Sequence, residues 1–297
     1  MQFVNKKRAS VFLMGFLLTG CMEGTVPEGR MFRESATAID TTSAGVLDEL
    51  ANSEREIATS ALAAQRGGTA SGRPCFIGST TRSAIRDFCP DDVTVRGSVG
   101  DPPGTARLRR GLATVNSQAL LMVALAEQTS GAEREARLGR LVSDLTALNS
   151  AANGPGGEIF RPVGYDTAVQ GLRPMAAGLI ASDMPASLRA LLLANEAATE
   201  SLIAALRASP TAFFRDQADQ MMARGRTVAG QANALRRLED ERRLLANYLQ
   251  LLERSAQNWR SAAQLLRYGR PASFSALSDT AISSQIEAEG IRRARAR

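Results

Sequence analysis

Residues 232–268 read ANALRRLEDERRLLANYLQLLERSAQNWRSAAQLLRY. Leu238, Leu245, Leu252, Trp259 and Leu266 recur every seven residues. Leu244, Leu251 and Leu265 lie beside that row, as do Leu249, Ala256 and Ala263. Apolar residues at this period line one face of an α-helix. The stripe is wider than a two-stranded seam needs, so it predicts a helix buried against several neighbours rather than one face of a coiled coil. Gly269 and Pro271 stop it. Trp259 is expected in the core, where its indole N–H needs an acceptor.

The same periodicity predicts helices over 43–65, 105–127, 132–152, 165–181 (despite Pro174), 185–207 and 275–291. Pro210 is expected to begin a separate helix, with Ser209 as its N-cap. The breaks are Gly67-Gly68, Thr129-Ser130-Gly131 and Asn153-Gly154-Pro155-Gly156-Gly157. Between 67 and 104 the helical pattern lapses, and Asp92-Val93-Thr94-Val95-Arg96 has the alternation of a short strand or hairpin. Residues 21–40 read as a flexible tether, rich in small and polar residues and able to reach roughly 60 Å when extended. The expected architecture is an all-α multi-helix bundle spanning 41–291, with one irregular excursion and a frayed basic tail at 292–297. If there are two domains, the boundary is 153–157.

The chain has 297 residues and no histidine, and no lysine follows Lys7. Serine or cysteine nucleophiles activated by histidine are therefore excluded. So are histidine-bound zinc and haem, lysine Schiff bases and the P-loop lysine. Asp, Glu, Tyr and free Cys remain for acid–base chemistry. No cofactor, metal-ligand set or catalytic residue is assigned. Formal net charge is +6, but Lys6, Lys7 and Arg8 supply half of that before residue 20.

Those three basic residues open a short apolar run, Val11-Phe12-Leu13-Met14-Gly15-Phe16-Leu17-Leu18, which leads to Thr19-Gly20-Cys21. A charged start, a short apolar stretch and small residues before a cleavage point make a secretory signal. The run is too short for a permanent membrane span. Leu18-Thr19-Gly20-Cys21 resembles the lipobox of bacterial lipoproteins. The resemblance covers residues 1–21. It implies cleavage after Gly20, diacylglycerol on the Cys21 thiol and a fatty acyl group, such as palmitate, on the new N-terminus. An ordinary signal peptide with a nearby cysteine is the alternative. Met22 stands where inner-membrane retention in Gram-negative bacteria commonly uses Asp, so the resemblance implies an outer-membrane anchor facing the periplasm in such a cell.

Export leaves Cys75 and Cys89 in an oxidising compartment, where a pair reads most simply as a disulfide. It would close a ring of about 15 residues and contribute about 3 kcal/mol. A redox pair is the alternative. However, there is no Cys-x-x-Cys and no His or Lys to lower a thiol pKa.

An acid-only glycosidic cleavage remains chemically open. Glu200-Ser201 resembles the dipeptide of helical lytic transglycosylases, which cleave peptidoglycan with one Glu. The segment after it lacks the Gly-x-Met-Gln-like sequence of those enzymes, and a solvated helix position is the simpler reading. Glu239-Asp240-Glu241 beside Arg236, Arg237, Arg242 and Arg243 reads as exposed ion pairs. The loop at 153–158 lacks the lysine and preceding strand of a phosphate cradle. The arginine tail reads as an inert solvated segment, with a contact to anionic envelope material as the alternative; it lacks interleaved aromatics, so nucleic acid is not an expected partner. Without histidine, the chain lacks the Gly-x-His-x-x-Glu segment of the imelysin-like group of exported helical proteins.

The sequence thus favours a non-catalytic, lipid-anchored envelope protein. Its membrane partner is reached through Cys21, and its helical body binds or scaffolds an envelope protein or peptidoglycan. A peptidoglycan-cleaving enzyme and a helical small-molecule-binding lipoprotein are the alternatives.

Overall fold

The wide stripe of residues 232–268 becomes the central helix of the bundle. Leu238, Leu245, Leu251, Leu252, Ala256, Trp259, Leu265 and Leu266 are all buried. The computed structural model describes residues 26–66, 100–153, 164–181, 184–224, 228–269 and 271–295. These contain eight helices and, among the described residues, no strand. They are α1 (Val26–Arg66), α2 (Pro103–Ala126), α3 (Gly131–Asn153), α4 (Tyr165–Ala181), α5 (Pro185–Ala194), α6 (Glu196–Arg224), α7 (Val228–Tyr268) and α8 (Pro271–Arg295). The all-α multi-helix bundle is as expected.

Helix α7 packs against α1, α2, α6 and α8, which explains the width of its stripe. Gly269, at φ +57, ends it in the left-handed region and donates its N–H to the Leu265 carbonyl. Trp259 is buried as expected. Its indole N–H, however, has no acceptor.

Side-chain contacts fix the helix directions. Arg33 meets Glu127 at one end of α1, and Glu54 meets Gly104 and Thr105 near the other, so α1 and α2 are antiparallel. Ser53 meets Glu241 and Glu56 meets Arg237, so α7 is antiparallel to α1 as well. Ser278 lies on Met31 and Thr42 on the Ala288 carbonyl, so α8 runs parallel to α1 along its side.

The expected tether at 21–40 is corrected by α1 from residue 26 onward, residues 21–25 lying outside the described residues. Its helix starts at Val26, and Phe32, Ser35, Ala36, Ile39 and Ser43 are all buried. They continue the spacing of Val46 and Leu50. Small side chains at three of the five positions let α8 pack along α1, and tertiary packing recruits a stretch that composition alone reads as coil.

Three boundaries also differ. The expected helix at 185–207 breaks at Asn195, whose amide donates to the Leu191 carbonyl at 2.8 Å. Pro210 starts no new helix but lies inside α6, and Ser209 is no N-cap: its hydroxyl donates back to Ala205 at 2.7 Å. Buried Leu206 and Phe213 flank the proline and keep the apolar face continuous. The tail is helical through Arg295 instead of fraying at 292.

Polar side chains tie the interior together. Ser255 donates to Asn116 at 2.6 Å, and Asn116 to Asp40 at 2.5 Å. Thr199 donates to Gln118 at 2.9 Å and Ser284 to Asn258 at 3.2 Å. Buried polar groups paired in this way fix the register of neighbouring helices.

Helices α2 and α6 meet at Gly111. A Cβ there would lie 2.5 Å from a Leu206 methyl, and Leu206 is fully buried. Gly111→Val is expected to cost about 1–3 kcal/mol through overpacking. Combined with Leu206→Ala it should cost less than the sum of the two single changes, because the cavity admits the new methyls. Urea unfolding of the four proteins checks this, and strict additivity would contradict the contact.

Candidate functional site

Cys21, Cys75 and Cys89 lie outside the described residues, as do positions 154–158 of the Gly-rich loop. Glu200 is described. It sits on α6 with both oxygens held by Arg260 of α7, at 2.7 and 3.0 Å. The Arg260 hydrogen bonds and charge hold its carboxyl below the usual range, against a smaller opposing effect of burial. A general acid needs the opposite shift. The structure therefore gives Glu200 the properties of a helix–helix ion pair.

The acidic triplet divides in a way its sequence did not announce. Glu239 pairs with Arg242 at 3.3 Å and Asp240 with Arg243 at 3.7 Å, all on the exposed face. Glu241 turns inward and is 2 % exposed. Its Oε2 accepts the Ser53 hydroxyl at 2.7 Å, while Oε1 has no partner. Spacing held the clue: Glu241 falls between Leu238 and Leu245 on the apolar stripe.

Beside it, Glu54 of α1 accepts the N–H groups of Gly104 and Thr105 at 2.9 and 2.8 Å, and the Thr105 hydroxyl at 2.8 Å. Pro102, the N-cap of α2, supplies no side-chain cap of its own. A carboxylate from another helix thus takes up the free donors and favourable dipole end of α2. Burial raises the Glu54 pKa, and the three hydrogen bonds partly offset that rise. Burial, reinforced by the nearby Glu54 charge, pushes Glu241 up to about 7, against the Ser53 hydrogen bond.

Of these two adjoining carboxyls with raised pKa values, Glu241 can exchange a proton near neutrality. The pair lines none of the described surface depressions, however. The largest of these, about 450 Å³, opens between α4 and α6 over Gly164, Gly171, Ala198, Ser201 and Ala204. Small residues line it, and it offers no charged group to orient a ligand. Among the described residues no group of three or more His, Cys, Asp or Glu could hold a metal ion. No described helix is long and apolar enough to cross a membrane. Because α8 runs parallel to α1, its basic C-terminal turn points away from the N-terminus of α1.

Comparison with protein-family models, with curated proteins and with solved structures found no match.

Proposed function

We propose that this chain is a lipid-anchored cell-envelope protein whose helical body binds or scaffolds another envelope component, either a protein or peptidoglycan. In a Gram-negative cell the anchor lies in the outer membrane and the body in the periplasm. The ordered series of basic residues, apolar run and Leu18-Thr19-Gly20-Cys21 carries this reading. Cys75 and Cys89 remain a proposed staple within it.

The ion pair of Glu200 with Arg260 favours a scaffold over a single-Glu hydrolase. Glu200→Gln is expected to cost under about 1 kcal/mol of stability, as for other part-exposed pairs. Cellular function should be unchanged, and the parent protein should release no soluble muropeptides from peptidoglycan. Muropeptide release that disappears in Glu200→Gln would replace the scaffold with the hydrolase. Crosslinking of the membrane-bound protein, followed by identification of its neighbours, tests the scaffold itself. A recurring envelope protein or peptidoglycan adduct is the expected result, and crosslinks to neither would overturn it.

A further inference from the structure

We propose that the end of the bundle bearing the N-terminus of α1 rests on the phospholipid surface, with Ile180, Met184 and Tyr268 entering the headgroup layer. This deepens the proposed function and rests on Cys21 being the acylated residue.

The length of the leash leads to this orientation. Only Met22, Glu23, Gly24 and Thr25 separate Cys21 from the start of α1 at Val26. That stretch spans at most about 17 Å. Helix α1 has 41 residues and is about 60 Å long. A lipid on Cys21 therefore sits close to one end of the bundle and cannot reach the other.

Contacts show what shares that end. Arg33 brings the C-terminus of α2 there through Glu127 at 2.7 Å. Tyr268 lies as far beyond Glu241 as Val26 lies before Ser53, so the antiparallel α7 ends level with the start of α1. Arg267 pairs with Glu196 and accepts the Arg189 guanidinium on its carbonyl, which places α5 and the start of α6 at the same end. Helix α4 runs parallel to α2, with Tyr165 on Arg107 and Met175 on Gln118, so its C-terminal Ile180 arrives there too.

This end carries the side chains a lipid interface takes up. Ile180 is 74 % exposed, Met184 66 % and Tyr268 56 %. The exposed Arg30 and Arg189 lie alongside, and the Arg267 guanidinium lies over the Tyr268 ring. Tyrosine rings settle at headgroup depth, and arginine keeps its charge in the phosphate layer while its stem lies on apolar surface. Leu235 is 58 % exposed, so it matches these residues in apolarity and exposure. It lies two residues before Arg237, which pairs with Glu56 at the other end.

The test uses the lipidated full chain in vesicles of phosphatidylethanolamine and phosphatidylglycerol. A benzophenone amino acid replaces Met184, Tyr268 or Leu235, one at a time. After irradiation, mass spectrometry measures phospholipid adducts and the acylation of Cys21. Adducts are expected to be at least about tenfold more frequent at positions 184 and 268 than at 235, because insertion reaches only the boundary layer. Equal yields, or a higher yield at 235, with Cys21 acylated would overturn the orientation and leave the anchor standing. Adducts to protein rather than lipid at 184 and 268 would also overturn it. An unmodified Cys21 would remove the anchor reading and this inference with it.

Discussion

Cys21→Ser is expected to abolish fatty-acid incorporation altogether and to leave residues 1–20 attached to the chain. Thioether formation needs the thiol, and cleavage after Gly20 follows lipidation in the lipoproteins this segment resembles. The effect is all-or-none because serine offers no thiol at that position. Each buried acyl methylene would contribute about 0.8 kcal/mol, so several chains would give stable anchoring where one gives only marginal binding. Labelled palmitate and intact mass read the result. A variant with the parent's processed mass and detergent partitioning would refute the lipobox.

Glu241→Gln is expected to stabilise the protein by up to about 3 kcal/mol at pH 8 and to have little effect at pH 4. In the folded protein Glu241 titrates at about 7, against 4.5 for the ordinary carboxyl. Between those values the folded state binds the proton more tightly than the unfolded state, so stability falls as pH rises through the window and then levels off. The shift corresponds to about 3 kcal/mol at 1.36 kcal/mol per unit. The amide keeps an oxygen for the Ser53 hydroxyl and removes the buried charge beside Glu54. Urea unfolding from pH 4 to 8 gives the result as a difference between variant and parent, which cancels the slope from Asp40 and leaves that of Glu241 with its coupling to Glu54. A difference independent of pH would show that Glu241 titrates normally.

The legibility of this chain followed the size of its buried side chains. Helix α7 could be read because leucine and tryptophan mark its face, and α4 runs over 165–181 as its pattern indicated. The start of α1 escaped notice because Ser35 and Ala36 fill positions where larger residues would have declared the stripe. Pro210 misled because proline usually opens a helix, whereas here the packing of Leu206 and Phe213 outweighs its missing N–H. The carboxyl pair was hidden by its context. Glu241 stands between two exposed acid–base pairs, and only its place between Leu238 and Leu245 distinguishes it. Glu54 takes its capping role from a contact with a helix distant in sequence, which no local pattern records.

The side-by-side packing of the first and last helices makes the bundle a test of its own completeness. Thr42 reaches the carbonyl of Ala288 across 246 positions of sequence. Closing a loop of that length costs about 5 kcal/mol of chain entropy, and the cost is recovered only when α8 docks. A chain released before Pro271 leaves the α8-facing side of α1 uncovered. Local opening then falls in the part of α1 that holds Met31 and Thr42, where proteolysis tracks the open population.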